Sequence, residues 1–421
     1  MVAVMPSSQA GYMTAIFVAG MLITGCSNSL LTKYQDNQCV ANCDGPASER
    51  RYFEQPVIQT FQMFIAEASC WAIVFLQQLY LSYNKPAPLV ATPDTSRDSV
   101  ERDLSEEPDL LLSTDPNISL LSSAPTDTTK PIQPMLDGKK VFGLSIPAFC
   151  DICGTTLMNV GLFFTPVSIY QMTRGALVLF VGLFSVIFLG RRLQLRQWSA
   201  LGVVVLGVFI VGLSGVIYAP DAPAEGAIPD DTTREPNSFL QVAVGVFIIA
   251  LAQIFTASQF VYEEHILQEY HLDSMRVVGW EGIFGFVLTG LIMIVAYILV
   301  GHTAAGRGGY FDIPSGAAQI ASNRSVFISS LLIMLSIGAF NFFGISVTQK
   351  ISATSRSTID TCRTLGIWLI SIMLGWEDFR ALQLIGFGLL VYGTLVFNGV
   401  ISPYILKTFD TGRIRIADEE E

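Results

Sequence analysis

Ten apolar stretches recur along the chain, each near the ~20 residues that cross ~30 Å of hydrocarbon, and polar residues gather between them. They run at 11–31, 57–83, 142–164, 167–190, 197–217, 239–262, 277–300, 326–349, 355–375 and 380–401. The runs are unbroken rather than alternating, which predicts helices and excludes a barrel of strands. The first run lacks a basic leader and a small-residue cleavage site, so it reads as a retained helix rather than a signal peptide. The expected fold is an all-α integral membrane protein with ten transmembrane helices.

The polar segments set the orientation. The loop 84–141 holds eight of the nineteen prolines and ten acidic residues; it cannot bury enough apolar surface to fold and is expected to be disordered. Within it, Glu106, Leu110 and Leu111 have the acidic-dileucine spacing of endolysosomal sorting signals, a pattern that also arises by chance in an acidic, leucine-containing loop. With both termini in the cytosol, cytosolic segments carry 15 Lys and Arg against 7 on the opposite side. Positive residues concentrate on the cytosolic side of membrane proteins, so both termini are placed there. Composition agrees with a membrane solvent: 51% of residues are hydrophobic, 14% are charged and the mean hydropathy is +0.51. The net charge of −11 belongs mostly to that loop and the final "ADEEE". There is no basic face, so no nucleic-acid partner is expected.

Cysteines and histidines add little chemistry. Cys39 and Cys43 share one loop and either pair in an oxidising compartment or stay as thiols. Cys150 and Cys153 have CxxC spacing, but lie in an apolar helix with no second pair, so packing is expected rather than metal. No nucleophile, base and orienter set stands out, and no phosphate-cradling GxxxxGK[ST] occurs. Neither an enzyme nor a cofactor is expected.

The chain repeats itself. In "FLGRRLQLRQWSALGVVVLGVF" a helix ends on Leu-Gly, a polar hinge follows, and the next helix carries glycines; "MLGWEDFRALQLIGFGLLVYGTLVF" has the same order. A shift of 186 residues superimposes Gly202 on Gly388, Gly207 on Gly393, Gln197 on Gln383 and Ser185 on Ser371. Five helices separate the copies, an odd number, so the second copy enters the membrane from the opposite side. Inverted repeats are a framework for alternating access, with the solute site near the midplane. The expected units are a first repeat at 1–217, a linker at 218–238, a second repeat at 239–401 and a cytosolic tail at 402–421.

Two five-helix repeats closing on Leu-Gly resemble the drug/metabolite transporter superfamily. More narrowly, "IPAFCDICGTTLM", "YQMTRG", "VGWEGIFGF", "ISATSRSTIDTCRT" and "LGWEDFRALQ" are similar to subgroup F of solute carrier family 35. Superfamily members from bacteria usually place Glu after Leu-Gly in the first half, where this chain has Arg191. The resemblance implies a carrier of a small-molecule solute in a lipid bilayer; it suggests homodimer contacts through the last helix of each repeat, and it leaves the ligand open.

Charges inside the apolar runs are the candidate site. An ionisable group at a helix centre costs about 2.5 to 3.5 kcal/mol on insertion, so Glu67, Asp151, Arg174, Asp360 and Arg363 should face each other or water. Asp151, Thr155 and Asn159 share one face of their helix, as do Ser168, Gln171 and Arg174, and Arg356, Asp360 and Arg363. Gln253, Gln259 and Asn341 are further cavity candidates. Glu67 and Glu281 are coupling or gating candidates, and Glu263, Glu264 and Glu281 are expected at a solvated rim on the cytosolic side. Two readings of Arg174 stay open: a structural partner of Asp151, or a planar fork of donors for an anionic group of the solute. The reading is a secondary carrier of a small polar, anionic organic solute in an endomembrane such as the lysosome or Golgi; the alternative is a non-transporting receptor or scaffold on the same fold.

Overall fold

The structure, a computed structural model, describes residues 7–43, 45–46, 50–83, 138–165, 167–217, 239–304, 306–375 and 381–398. The acidic-dileucine segment and the tail lie outside these residues. Residues 138–144, placed in the long loop by composition up to 141, instead form a 3₁₀ helix leading into the α-helix that starts at Ser145.

Helices occupy the apolar runs, and several extend well past them. In chain order they are α1 (Ser7–Asp36), α2 (Pro56–Ala68), α3 (Cys70–Tyr83), α4 (Ser145–Phe164), α5 (Val167–Thr173), α6 (Leu177–Leu189), α7 (Leu195–Ile217), α8 (Phe239–Glu269), α9 (Ser274–Ala296), α10 (Ile313–Ser322), α11 (Arg324–Lys350), α12 (Ala353–Met373) and α13 (Ala381–Phe397). Six of the described segments are long and apolar enough to cross a membrane, and three shorter apolar helices accompany them. This is a multi-pass, all-α membrane protein. Helix α12 falls outside that count because Arg356, Asp360 and Arg363 interrupt its apolar run.

Two runs read as single helices are broken. Ser69 separates α2 from α3, its hydroxyl donating to the Ala66 carbonyl at 2.6 Å. Between α5 and α6 the backbone tightens into a 3₁₀ turn at Arg174–Ala176. Such turns inside a helix mark hinges or strain, and this one carries Arg174. One helix was not anticipated: α10, which follows a Gly-rich turn and is capped by Asp312, whose side chain accepts from Ser315 N.

A small cap closes one end. β1 (Cys39–Ala41) pairs antiparallel with β2 (Arg51–Tyr52), and Cys39 and Cys43 form a disulfide. Asn323 ties this cap to α11. Its Oδ1 accepts from Ser325 N and Val326 N, and its Nδ2 donates to the Cys39 carbonyl at 3.0 Å. The side-chain amide of Asn323 is therefore committed to the fold.

The helices pair across the chain: α1 on α11, α4 on α8, α2 on α9 and α7 on α13. The α7–α13 contact is reciprocal. A Cβ on Gly207 would lie 2.7 Å from the Gly386 carbonyl, and one on Gly393 would lie 2.9 Å from the Ala200 carbonyl; the shift of 186 residues that carries Gly207 to Gly393 carries Ala200 to Gly386. Likewise Gly182 abuts Phe397 and Leu201, while Trp368 packs with Val211 and Phe387, the shifted partners. Both halves also end a helix on a left-handed glycine, Gly190 (φ 64°) and Gly375 (φ 68°), a conformation that costs glycine nothing. Gly207, Gly386 and Gly393 are thus used inside the chain. Gly202 and Gly388 face open space.

Candidate functional site

The buried charges collect in two groups. The first is acidic. Glu67 on α2 accepts a hydrogen bond from Asn341 on α11. Beside it, α9 approaches so closely that a Cβ on Gly282 would lie 2.2 Å from Ala68 N and 2.6 Å from Glu67 Cβ. This seats Glu281 at the level of Glu67. One helical turn along α11 from Asn341, Gly344 leaves room for Arg356 of α12, whose Nε would be 2.9 Å from an added Cβ. Arg356 pairs with Glu263 of α8, both fully covered, and its guanidinium lies 3.8 Å from the centroid of the Phe260 ring, a favourable cation–π placement. Asp151 on α4 is within electrostatic reach of Glu263 and Arg356. Four carboxyl groups therefore lie within electrostatic reach of one guanidinium.

The second group is cationic. Arg363 Nη2 lies 2.8 Å from Asp360 Oδ1 on the same face of α12. The guanidinium also stands 4.7 Å from the Phe340 ring centroid and reaches the Gly25 carbonyl at 3.5 Å. Arg174, on the 3₁₀ turn, is near enough to Arg363 to repel it. It stands 5.8 Å from the Tyr170 ring centroid and makes no hydrogen bond or ion pair among the described residues. The one carboxylate of this group is thus paired with Arg363, and Arg174 is left without one. Under the 186-residue shift, Arg174 and Asp360 occupy equivalent positions.

A third contact joins the segment after α6 to the start of α12. Arg191 pairs with Glu264, which also accepts from Ala353 N at 3.1 Å and Gln268 Nε2 at 3.0 Å. A carboxylate at a helix N-terminus is favoured by the helix dipole.

These positions correct one expectation. Glu263, Glu264 and Glu281 are not a solvated rim: they are 1%, 2% and 6% exposed. The apolar run ends at 262, but α8 continues to Glu269, and Glu281 lies about two turns inside α9. Arg356, counted among cytosolic charges, is likewise buried. Of the remaining candidates, Thr155 donates to the Asp151 carbonyl at 2.7 Å and Gln253 to the Ile249 carbonyl at 3.2 Å, both within their own helices. Asn159 is half-buried on α4. The side chains of Ser168 and Gln171 lie outside the described ones.

Over nearly its whole length the chain aligns with one set of curated proteins. Solute carrier family 35 member F6 of Homo sapiens is 34% identical over 409 residues, covering 96% of this chain and 94% of that one. The chain belongs to solute carrier family 35. The Rattus norvegicus member F6 is 33% identical over 393 residues (93% and 90% covered), and an uncharacterized protein of Schizosaccharomyces pombe is 34% identical over 381 residues (90% and 96%). Residues 131–299 also match the nucleotide-sugar transporter family model. Within this solute carrier, the pairs Glu263–Arg356 and Glu264–Arg191 went unnoticed in the sequence. The adjacent acids in "VYEEH" were the available signal.

Proposed function

We propose that the chain is a secondary transporter that moves a small polar, anionic organic solute across an internal membrane by alternating access of two inverted five-helix halves. The observation that carries the anionic preference is the cationic group: Arg174 has no acceptor among the described residues, and the neighbouring Arg363 already holds Asp360. A solute carboxylate or phosphate would supply the missing acceptor, and a guanidinium binds either through two parallel hydrogen bonds.

Ten spans and inverted halves are supported by the reciprocal α7–α13 contact and by the exchange-symmetric helix pairing. An internal membrane with both termini in the cytosol is supported by the Lys and Arg asymmetry and by the Cys39–Cys43 disulfide on the opposite side, where an oxidising lumen would form it. Gly202 and Gly388 have no close neighbour among the described residues, which leaves room for a second copy. The test is counterflow in proteoliposomes loaded with a mixed metabolite library and read by mass spectrometry. Enrichment of one anionic class supports the reading; no exchange of any component points to a receptor or scaffold. Protease added to sealed vesicles should cut a tag at residue 120, and its protection would reverse the orientation.

A further inference from the structure

The acidic group has more carboxylates than the membrane interior can hold as anions. Glu67, Asp151, Glu263 and Glu281 come from four different helices, and one guanidinium, Arg356, is available to them. Arg356 is committed to Glu263. Glu67 has the neutral amide of Asn341. Among the described residues Glu281 has no hydrogen-bond donor: its Oε1 is buried and unpartnered, on a residue 6% exposed. Isolated buried carboxylates are costly enough that such a group is carried neutral or takes up a cation. Among the described residues no cluster has the ligand set of a metal ion. Among the described residues the charged groups that act on Glu281 are Glu263 from α8, Glu67 from α2, Asp151 from α4 and Arg356 from α12, so Arg356 is the one positive charge among them.

We propose that Glu281 and Glu67, with Asp151 as the half-buried member nearest water, form a proton-binding site that couples solute movement to a proton gradient. This rests on the reading of the chain as a carrier. Each carboxylate takes a proton from water and holds it as a carboxylic acid while the site is closed, then releases it when the opposite side opens. The Glu263–Arg356 pair fixes one edge of the site. Asp151 supplies the path, since it alone of the four is partly exposed.

The experiment separates the site from the transport reading. Protein reconstituted in lipid is titrated from acid to alkaline pH, and the carboxylic-acid C=O band is followed by infrared spectroscopy. Glu281→Gln should remove one protonated-carboxyl component, and Glu67→Gln, which keeps an acceptor for Asn341, a second. Trp71 and Trp280, stacked edge-to-face at 5.2 Å beside this cluster, provide a fluorescence readout of the same titration that Glu281→Gln should abolish. In proteoliposomes, an imposed pH gradient should drive accumulation of the exchanging metabolite class in the wild type and not in Glu281→Gln. An unchanged carboxyl band in both variants, or accumulation driven by a sodium gradient in place of the pH gradient, overturns the proposal. Absence of counterflow under every condition removes the transport reading, and the infrared titration still decides whether the proton site exists.

Discussion

The two buried charge groups differ in sign, in membership and in how completely they are satisfied. In the acidic group the one cation is locked to Glu263 and stacked on Phe260; the unsatisfied members are carboxyls. In the cationic group the one anion, Asp360, is locked to Arg363, and the unsatisfied member is Arg174. Each group is therefore built from a fixed ion pair and a spare charge. Helix α12 supplies a fixed partner to both, with Arg356 and Arg363 about two turns, ~10 Å, apart along it. The lesson is that the paired charges and the spare ones are told apart by their partners, which neither hydropathy nor charge count reveals.

The comparison breaks first at the fixed pairs. Arg356→Ala leaves Glu263 buried and uncompensated, and an expected loss of about 3 to 5 kcal/mol should appear as a large drop in thermal stability in detergent. Pairing it with Glu263→Gln should restore most of that loss; if the double variant is no more stable than the single, the pair is not architectural. The next largest effects come from crowding the two arginines through the glycines beside them. Gly344→Ala presses on Arg356 and Gly25→Ala on Arg363, whose Cδ would lie 2.4 Å from the new Cβ. Overpacking of this kind costs about 1 to 3 kcal/mol. Gly25→Ala should raise the half-saturation for solute, whereas Gly344→Ala should alter the response to a pH gradient; identical transport phenotypes would merge the two groups into one.

Smaller still is Arg191→Ala. Glu264 keeps Ala353 N and Gln268, and the arginine is about a third exposed, so the loss in stability should be about 1 kcal/mol or less, measurable as a modest shift in the unfolding midpoint. The smallest change in stability belongs to Arg174→Ala, because no partner is abandoned, yet solute counterflow should be lost. Asp151→Asn should not modify this outcome. Coupling between the two substitutions above about 0.5 kcal/mol in a double-mutant cycle would return Arg174 to the role of a structural partner. Arg174→Lys should keep partial transport with a raised half-saturation, since the charge remains and the planar fork does not.

Much of the fold was legible because hydrocarbon thickness forces each crossing to declare itself as a long apolar run. The Asp360–Arg363 pair was legible too, since i, i+3 neighbours must meet on a helix. What the sequence concealed has physical causes. Glu263 and Arg356 lie 93 residues apart, and only tertiary packing brings them together. The depth of Glu281 was misjudged because burial depends on neighbouring helices, whereas hydropathy sees only the helix itself. Helix α10 was missed because its ten residues are too few to cross a bilayer, so a search for crossing-length apolar runs passes over it. The breaks at Ser69 and Arg174 change backbone geometry without changing composition.

The 3₁₀ turn at Arg174–Ala176 has a mechanical meaning. An α-helix advances 100° and 1.5 Å per residue, a 3₁₀ helix 120° and about 2.0 Å. Rewinding these three residues from one form to the other would therefore twist α5 against α6 by about 60° and slide it by about 1.5 Å, with no bond broken outside the turn. The segment is a screw thread of one turn, and Arg174 is mounted on it. A ligand that gripped this arginine would pull on the thread directly, so that holding the ligand and re-aiming the helix would be a single movement.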